Sequence, residues 1–125
     1  MLGKHDAIAT IAVKNLGVAK QFYEGTLGLT PIDTEGDELI VFKSGSSKFF
    51  VYRSQYAGTN RATAMTWAIG DGVDDTVRKL KAKGVTFEHY DLPGMTRKGD
   101  VHVAGDMKVA WLKDPDGNIL SIVSG

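Results

Sequence analysis

Residues 7–13 (AIATIAV) are short, apolar and rich in β-branched side chains, which predicts a strand. Asn15 then stands at the position of a helix cap, and Val18, Ala19, Phe22, Tyr23 and Leu27 fall along one stripe of a helix that Gly28 ends. Three more strands are predicted at 29–34, 38–43 and 48–53, parted by the turn-forming Glu35-Gly36-Asp37 and Ser44-Gly45-Ser46-Ser47. Residues 56–61 (YAGTNR) lack periodicity and read as a connection. The order then recurs. Residues 64–69 form a strand, and Val73, Val77 and Leu80 mark a helix with Asp71 as its cap and Gly84 as its stop. Strands at 85–89, 107–113 and 118–123 complete the pattern, the last two joined by Asp114-Pro115-Asp116-Gly117. Residues 92–106, rich in glycine and charge, read as a long loop and a candidate lid over a site.

The runs IATIAVKNLGVAKQFYEGTLGL and MTWAIGDGVDDTVRKLKAKGV align with an offset of about 57 residues, in order of elements more than in identity. The expected fold is α+β: one domain of two βαβββ modules, residues 1–56 and 62–125, in a curved mixed sheet around a cleft. A length of 125 residues suits one domain. Fifteen basic residues balance fifteen acidic ones, which removes the long-range attraction that nucleic acid or an anionic membrane would need. With no cysteine, disulfides, thiolate catalysis and sulfur-ligated zinc are excluded. The opening Met1-Leu2-Gly3-Lys4-His5-Asp6 has neither a long apolar run nor a cleavage-site pattern, so a cytoplasmic location is expected.

Val13-Lys14-Asn15-Leu16, then Phe22-Tyr23 and Leu27-Gly28-Leu29, and finally Asp114-Pro115-Asp116-Gly117-Asn118 together resemble the vicinal-oxygen-chelate family. That family includes glyoxalases, bleomycin-resistance proteins and extradiol dioxygenases. The resemblance spans nearly the whole chain and implies paired modules enclosing a cleft, commonly completed in a homodimer. In the family's enzymes it also implies a divalent metal held by His or Glu, one ligand from each of four strands. Carried onto this chain, those positions are Ile8, Phe50 (to within about one residue), Met65 and Ser121. None offers an imidazole or a carboxylate, so no metal or other cofactor is expected. His5, His89 and His102 show no paired ligand spacing and read as solvated or locally hydrogen-bonded.

Alternation along the strands sets Ile8, Thr10 and Ala12 on the cleft face, with Phe50 beside Lys48 and Tyr52. The same counting places Met65 with Trp67 and Ile69, Trp111 with Val109 and Lys113, and Ser121 with Ile119 and Val123. The candidate ligand-binding residues are therefore Phe50, Tyr52, Met65, Trp67, His102, Trp111 and Ser121, a set suited to a planar or hydrophobic compound. The same tryptophans also suit ordinary core packing or a dimer interface, and Arg97 and Lys98 suit a solvated loop. The leading expectation is metal-independent sequestration of a small aromatic or amphipathic compound, similar to the family's drug-resistance members. The alternative is a lyase, isomerase or dioxygenase with displaced metal ligands, or with His102, Glu88 or Asp106 moving a proton. No catalytic residue is assigned. A fourth possibility is a remnant cleft on a protein-binding module. The expected partners are a small molecule and a second copy of the chain, without nucleic acid or membrane.

Overall fold

In the computed structural model, which describes residues 1–125, Asn15 caps α1 (Leu16–Lys20) by accepting the Val18 N–H at 3.0 Å. The predicted single helix widens after Lys20 into a π-helical stretch, Gln21–Thr26, where the Leu27 N–H reaches back to the Phe22 carbonyl. Gly28, at φ 77°, ends it. Around this helix lie β1 (Ala9–Val13), β2 (Thr30–Glu35), β3 (Leu39–Ser44) and β4 (Ser47–Arg53), in the order β1-β4-β3-β2 with β1 and β4 parallel.

Period-two alternation splits this sheet into two faces. Ile11, Ile40 and Val51 align across strands on one, as do Phe42 and Phe49, and all are buried. Tyr23 packs onto them, its ring 5.7 Å from both Phe42 and Phe49. Tyr23 thus anchors the helix to its sheet. The other face presents Thr10, Val41 and Phe50 in one row and Ala12, Leu39 and Tyr52 in the next.

Chain contacts divide the protein into two compact units, Met1–Thr59 and Asn60–Gly125. In the second, β5 (Thr63–Ala68) leads through a 3-10 turn to α2 (Val73–Ala82), then β6 (Phe87–Glu88), β7 (Thr96–Lys98), β8 (Val101–Ala104), β9 (Met107–Lys113) and β10 (Ile119–Val123). The order is β5-β10-β9-β8-β7, with β6 also paired to β9 and β5 parallel to β10, so first and last strands lie side by side as in the first unit. Val73, Val77 and Leu80 of α2 are buried, as are Phe87, Ala110, Leu112, Leu120 and Ile122. The last five share one sheet face with Lys108, which pairs with Asp74 of α2 and so identifies the helix-covered side.

Three local expectations are corrected. Asp71 is not the cap of α2: it lies within the 3-10 turn Gly70–Gly72, and Gly72 occupies the cap position without a side-chain bond. Residues 92–106 are not one open loop, because Lys98 pairs with Val101 across Gly99-Asp100 and builds the β7–β8 hairpin. Gly99, at φ 65°, supplies the left-handed first residue that a two-residue turn of this kind requires. The strand expected over 85–89 shrinks to Phe87–Glu88, since β6 and β8 share the same edge of β9.

Candidate functional site

The side of the second sheet away from α2 is built around Trp111. Cross-strand pairing places Glu88 and Ser121 opposite it, and Thr66 opposite Ser121. His102 pairs with Val109, two residues before Trp111, and so joins the same face. The His102 ring lies 4.8 Å from the Trp111 ring at 81°, and Tyr90 lies 5.3 Å from it at 73°. Both are edge-on contacts of the kind aromatic quadrupoles favour. The Thr66 and Ser121 hydroxyls meet at 2.6 Å beside this cluster.

The polar atoms of the cluster are unequally satisfied. The Tyr90 backbone N–H donates to His102 Nε2 at 3.0 Å. An accepting Nε2 is the lone-pair nitrogen, which places the ring proton on Nδ1 as a donor. His102 is only 1% exposed, and Nδ1 has no partner. The Tyr90 hydroxyl is also buried and unpartnered, and burial, with a smaller contribution from the negative Glu88, raises its pKa, while Lys113 opposes the rise. Two orphaned buried polar atoms on rings packed against one indole are unusual, because native interiors leave few such groups unpaired. Around them, Lys113 lies 3.4 Å from Glu88.

The β7–β8 hairpin that carries His102 is tied back to α2. Asp100 at its turn accepts from Lys81 Nζ at 2.7 Å and contacts His89 Nε2 at 2.7 Å. These two hydrogen bonds hold the Asp100 carboxyl below its ordinary pKa. The segment expected to be a lid is thus a buttressed part of the wall.

His102, Trp111 and Ser121 therefore share a face, but Met65 and Trp67 do not share it. The expectation that they flank Trp111 is corrected by the register: Met65 pairs with Leu120 and Trp67 with Ile122, on the α2 side. The shift at Ile119/Leu120 brings Thr66 opposite Ser121, and in a strand a one-residue slip exchanges faces. Phe50 and Tyr52 line the helix-free face of the first unit's sheet. Sequence reasoning missed Tyr90, although its spacing of two from Glu88 would have placed it beside Trp111 once β6 was paired with β9.

A divalent ion held as the resemblance implied does not fit this residue set. Ile8, Phe50 and Ser121 lack suitable donors, as do both Met65 and Thr66 on β5. No cluster of three or more His, Cys, Asp or Glu residues is arranged to hold a metal ion. No helix is long and apolar enough to cross a membrane.

Among curated proteins, no relative matches the sequence. Solved structures share the fold at low identity. The fosfomycin resistance protein FosX from Listeria monocytogenes aligns with a TM-score of 0.69 at 18% identity, covering 97% of this chain and 90% of that one. A lactoylglutathione lyase from Agrobacterium tumefaciens gives 0.68 at 19%, covering 95% and 93%. A glyoxalase family protein from Enterococcus faecalis gives 0.73 at 17%, covering 98% and 99%. The family model for the glyoxalase/bleomycin resistance protein/dioxygenase superfamily matches residues 6–122, and the chain belongs to that superfamily.

Proposed function

We propose that this protein binds a small aromatic or amphipathic compound without a metal, on the surface formed by Trp111, His102, Tyr90 and Ser121, and that it works as a homodimer. The carrying observation is the pair of buried, unpartnered polar atoms, His102 Nδ1 and the Tyr90 hydroxyl, beside the half-buried Trp111 ring. An aromatic wall with a few unsatisfied polar groups suits a ligand that has one flat apolar body and a polar handle.

The alternative, proton transfer by His102, Glu88 or Asp106, has less support. His102 Nε2 is already engaged by a backbone N–H, Glu88 faces Lys113, and Asp106 is exposed in the turn before β9. A general base needs a free lone pair within reach of substrate. The structural relatives include a lactoylglutathione lyase and a fosfomycin resistance protein, which is consistent with small-molecule chemistry in general and selects neither reading.

The test is a titration of the intact protein with planar aromatic compounds, followed through the two indole N–H resonances. The Trp111 signal is expected to shift strongly and the Trp67 signal weakly, with affinity unchanged by added Mn(II). A dominant shift at Trp67, or binding that requires the metal, would overturn the proposal.

A further inference from the structure

We infer that the first unit carries a separate site for a small alkyl phosphate monoester, held between the Lys43 and Lys48 ammonium groups beside Ile8 and Ile32. This site belongs to the first unit's sheet alone and is independent of the Trp111 surface. Lys43 and Lys48 stand directly opposite each other on β3 and β4, one pair in from the two-residue turn Gly45-Ser46. Lys43 follows Val41 by two residues and Lys48 precedes Phe50 by two, which sets both on the helix-free face. Ile8 precedes Ala9, the partner of Phe49, and so extends the same row next to Lys48. Opposed Cβ atoms on neighbouring strands lie only about 4.5 to 5.5 Å apart, and like charges so placed are destabilising. Both lysines are exposed, so both are reachable, and both line one cavity of about 900 Å³ together with Ile8 and Ile32.

The charges around this cavity do not cancel. Neither lysine forms a salt bridge. Asp6 is the one carboxylate in the lining, and His5 beside it adds no negative charge. Asp33 stands one row away, opposite Val41, where its Oδ1 accepts the Thr34 N–H at 2.8 Å, and Glu35 is two rows away, opposite Leu39. Two ammonium groups against one nearby carboxylate favour an anion, and their flexible four-carbon stems let both reach a single group. A dianion meets both charges, whereas a monoanion relieves less of the repulsion between them. A phosphate monoester carries about 1.5 to 2 negative charges at neutral pH and three strong acceptor oxygens. The aliphatic side chains of Ile8 and Ile32 favour a short alkyl chain on that phosphate, since covering them removes apolar surface from water. The carboxylates of Asp6, Asp33 and Glu35 disfavour an extended polyanion on the same surface.

Three probes test this on the full-length, isotope-labelled protein at fixed ionic strength and about pH 7.5, where the monoester is mostly dianionic: n-butyl phosphate, n-butanesulfonate and inorganic phosphate. Backbone amide signals of residues 43–48 are expected to shift on titration. The ester should bind at least about fivefold tighter than the sulfonate, which has the same chain and a smaller charge. It should bind at least about threefold tighter than inorganic phosphate, which lacks the chain. Lys43→Gln and Lys48→Gln should each remove the preference for the ester over the sulfonate, and neither should lower resistance to urea, because the like-charge opposition leaves with the lysine. Lys20→Gln, on α1 and outside the cavity, should leave the affinity unchanged. Equal binding of ester and sulfonate, an equal loss in Lys20→Gln, or shifts centred on the exposed Arg97 of β7 would overturn the inference. So would association with vesicles containing phosphatidic acid without any binding of the soluble ester.

Discussion

Tyr90 and Trp111 can be separated by what their truncation costs. Tyr90→Phe removes a buried hydroxyl that has no partner, so without ligand the variant should be as stable as the parent or more stable by up to about 1 kcal/mol. Urea denaturation of both proteins checks this, and a clear loss of stability would show the hydroxyl to be bonded. Trp111 is half-buried and packs edge-on against two rings, so Trp111→Ala should weaken ligand binding by about 1 to 3 kcal/mol with the fold intact. An unfolded Trp111→Ala protein would instead make the indole a core residue, which typically costs about 3 to 5 kcal/mol to truncate. Alternation along its strand had already set Trp111 on this face, whereas Tyr90 follows a two-residue strand, and only the pairing of β6 with β9 brings it to Trp111.

Among the elements, the β7–β8 hairpin depends on Asp100, whose two charged or polar partners lie on α2 and next to β6. Its carboxyl is depressed in the folded state, so its stabilising contribution is complete above the unfolded pKa of about 3.9 and is lost as pH falls from there through the lower folded value. Asp100→Asn should therefore reduce stability at neutral pH and flatten the acid limb below about pH 4, as followed by chemical denaturation across that range. The turn between β9 and β10 relies on a different carboxylate. Buried Asp114 accepts from the Asp116 and Asn118 backbone N–H groups at 2.9 Å and from the Asn118 side chain at 2.8 Å. Asp114→Ala should cost about 2 to 3 kcal/mol, because it strands buried donors as well as removing bonds to a charge. This turn was legible in the sequence, since DPDG states its own geometry. The β7–β8 hairpin was not, because every residue of β7 is exposed and shows no alternation.

For the whole molecule, the helix-free face of the first unit carries Val41, Phe50 and Tyr52, with Tyr52 38% exposed. That apolar surface and the superfamily membership motivate the expectation that light scattering will give twice the chain mass at micromolar concentration. A monomer would count against it. Both halves were recognisable as β-strand, helix and further strands because their signals are local: Asn15 caps, Gly28 stops, Phe22-Tyr23 mark an apolar stripe, and alternation marks the first sheet's faces. The missing metal donors at Ile8, Phe50 and Ser121 were equally plain, since residue type alone decides whether a side chain can ligate. Tertiary structure decided the rest. The register shift at Ile119/Leu120 put Thr66 opposite Ser121 and carried Met65 and Trp67 to the helix side. The partners that leave His102 Nδ1 and the Tyr90 hydroxyl unmatched come from strands remote in sequence. Sequence by itself determines what each residue favours locally and what chemistry it owns. Which face a strand residue occupies, and which buried atoms remain unpaired, depends on long-range pairing in which a slip of one residue reverses the outcome.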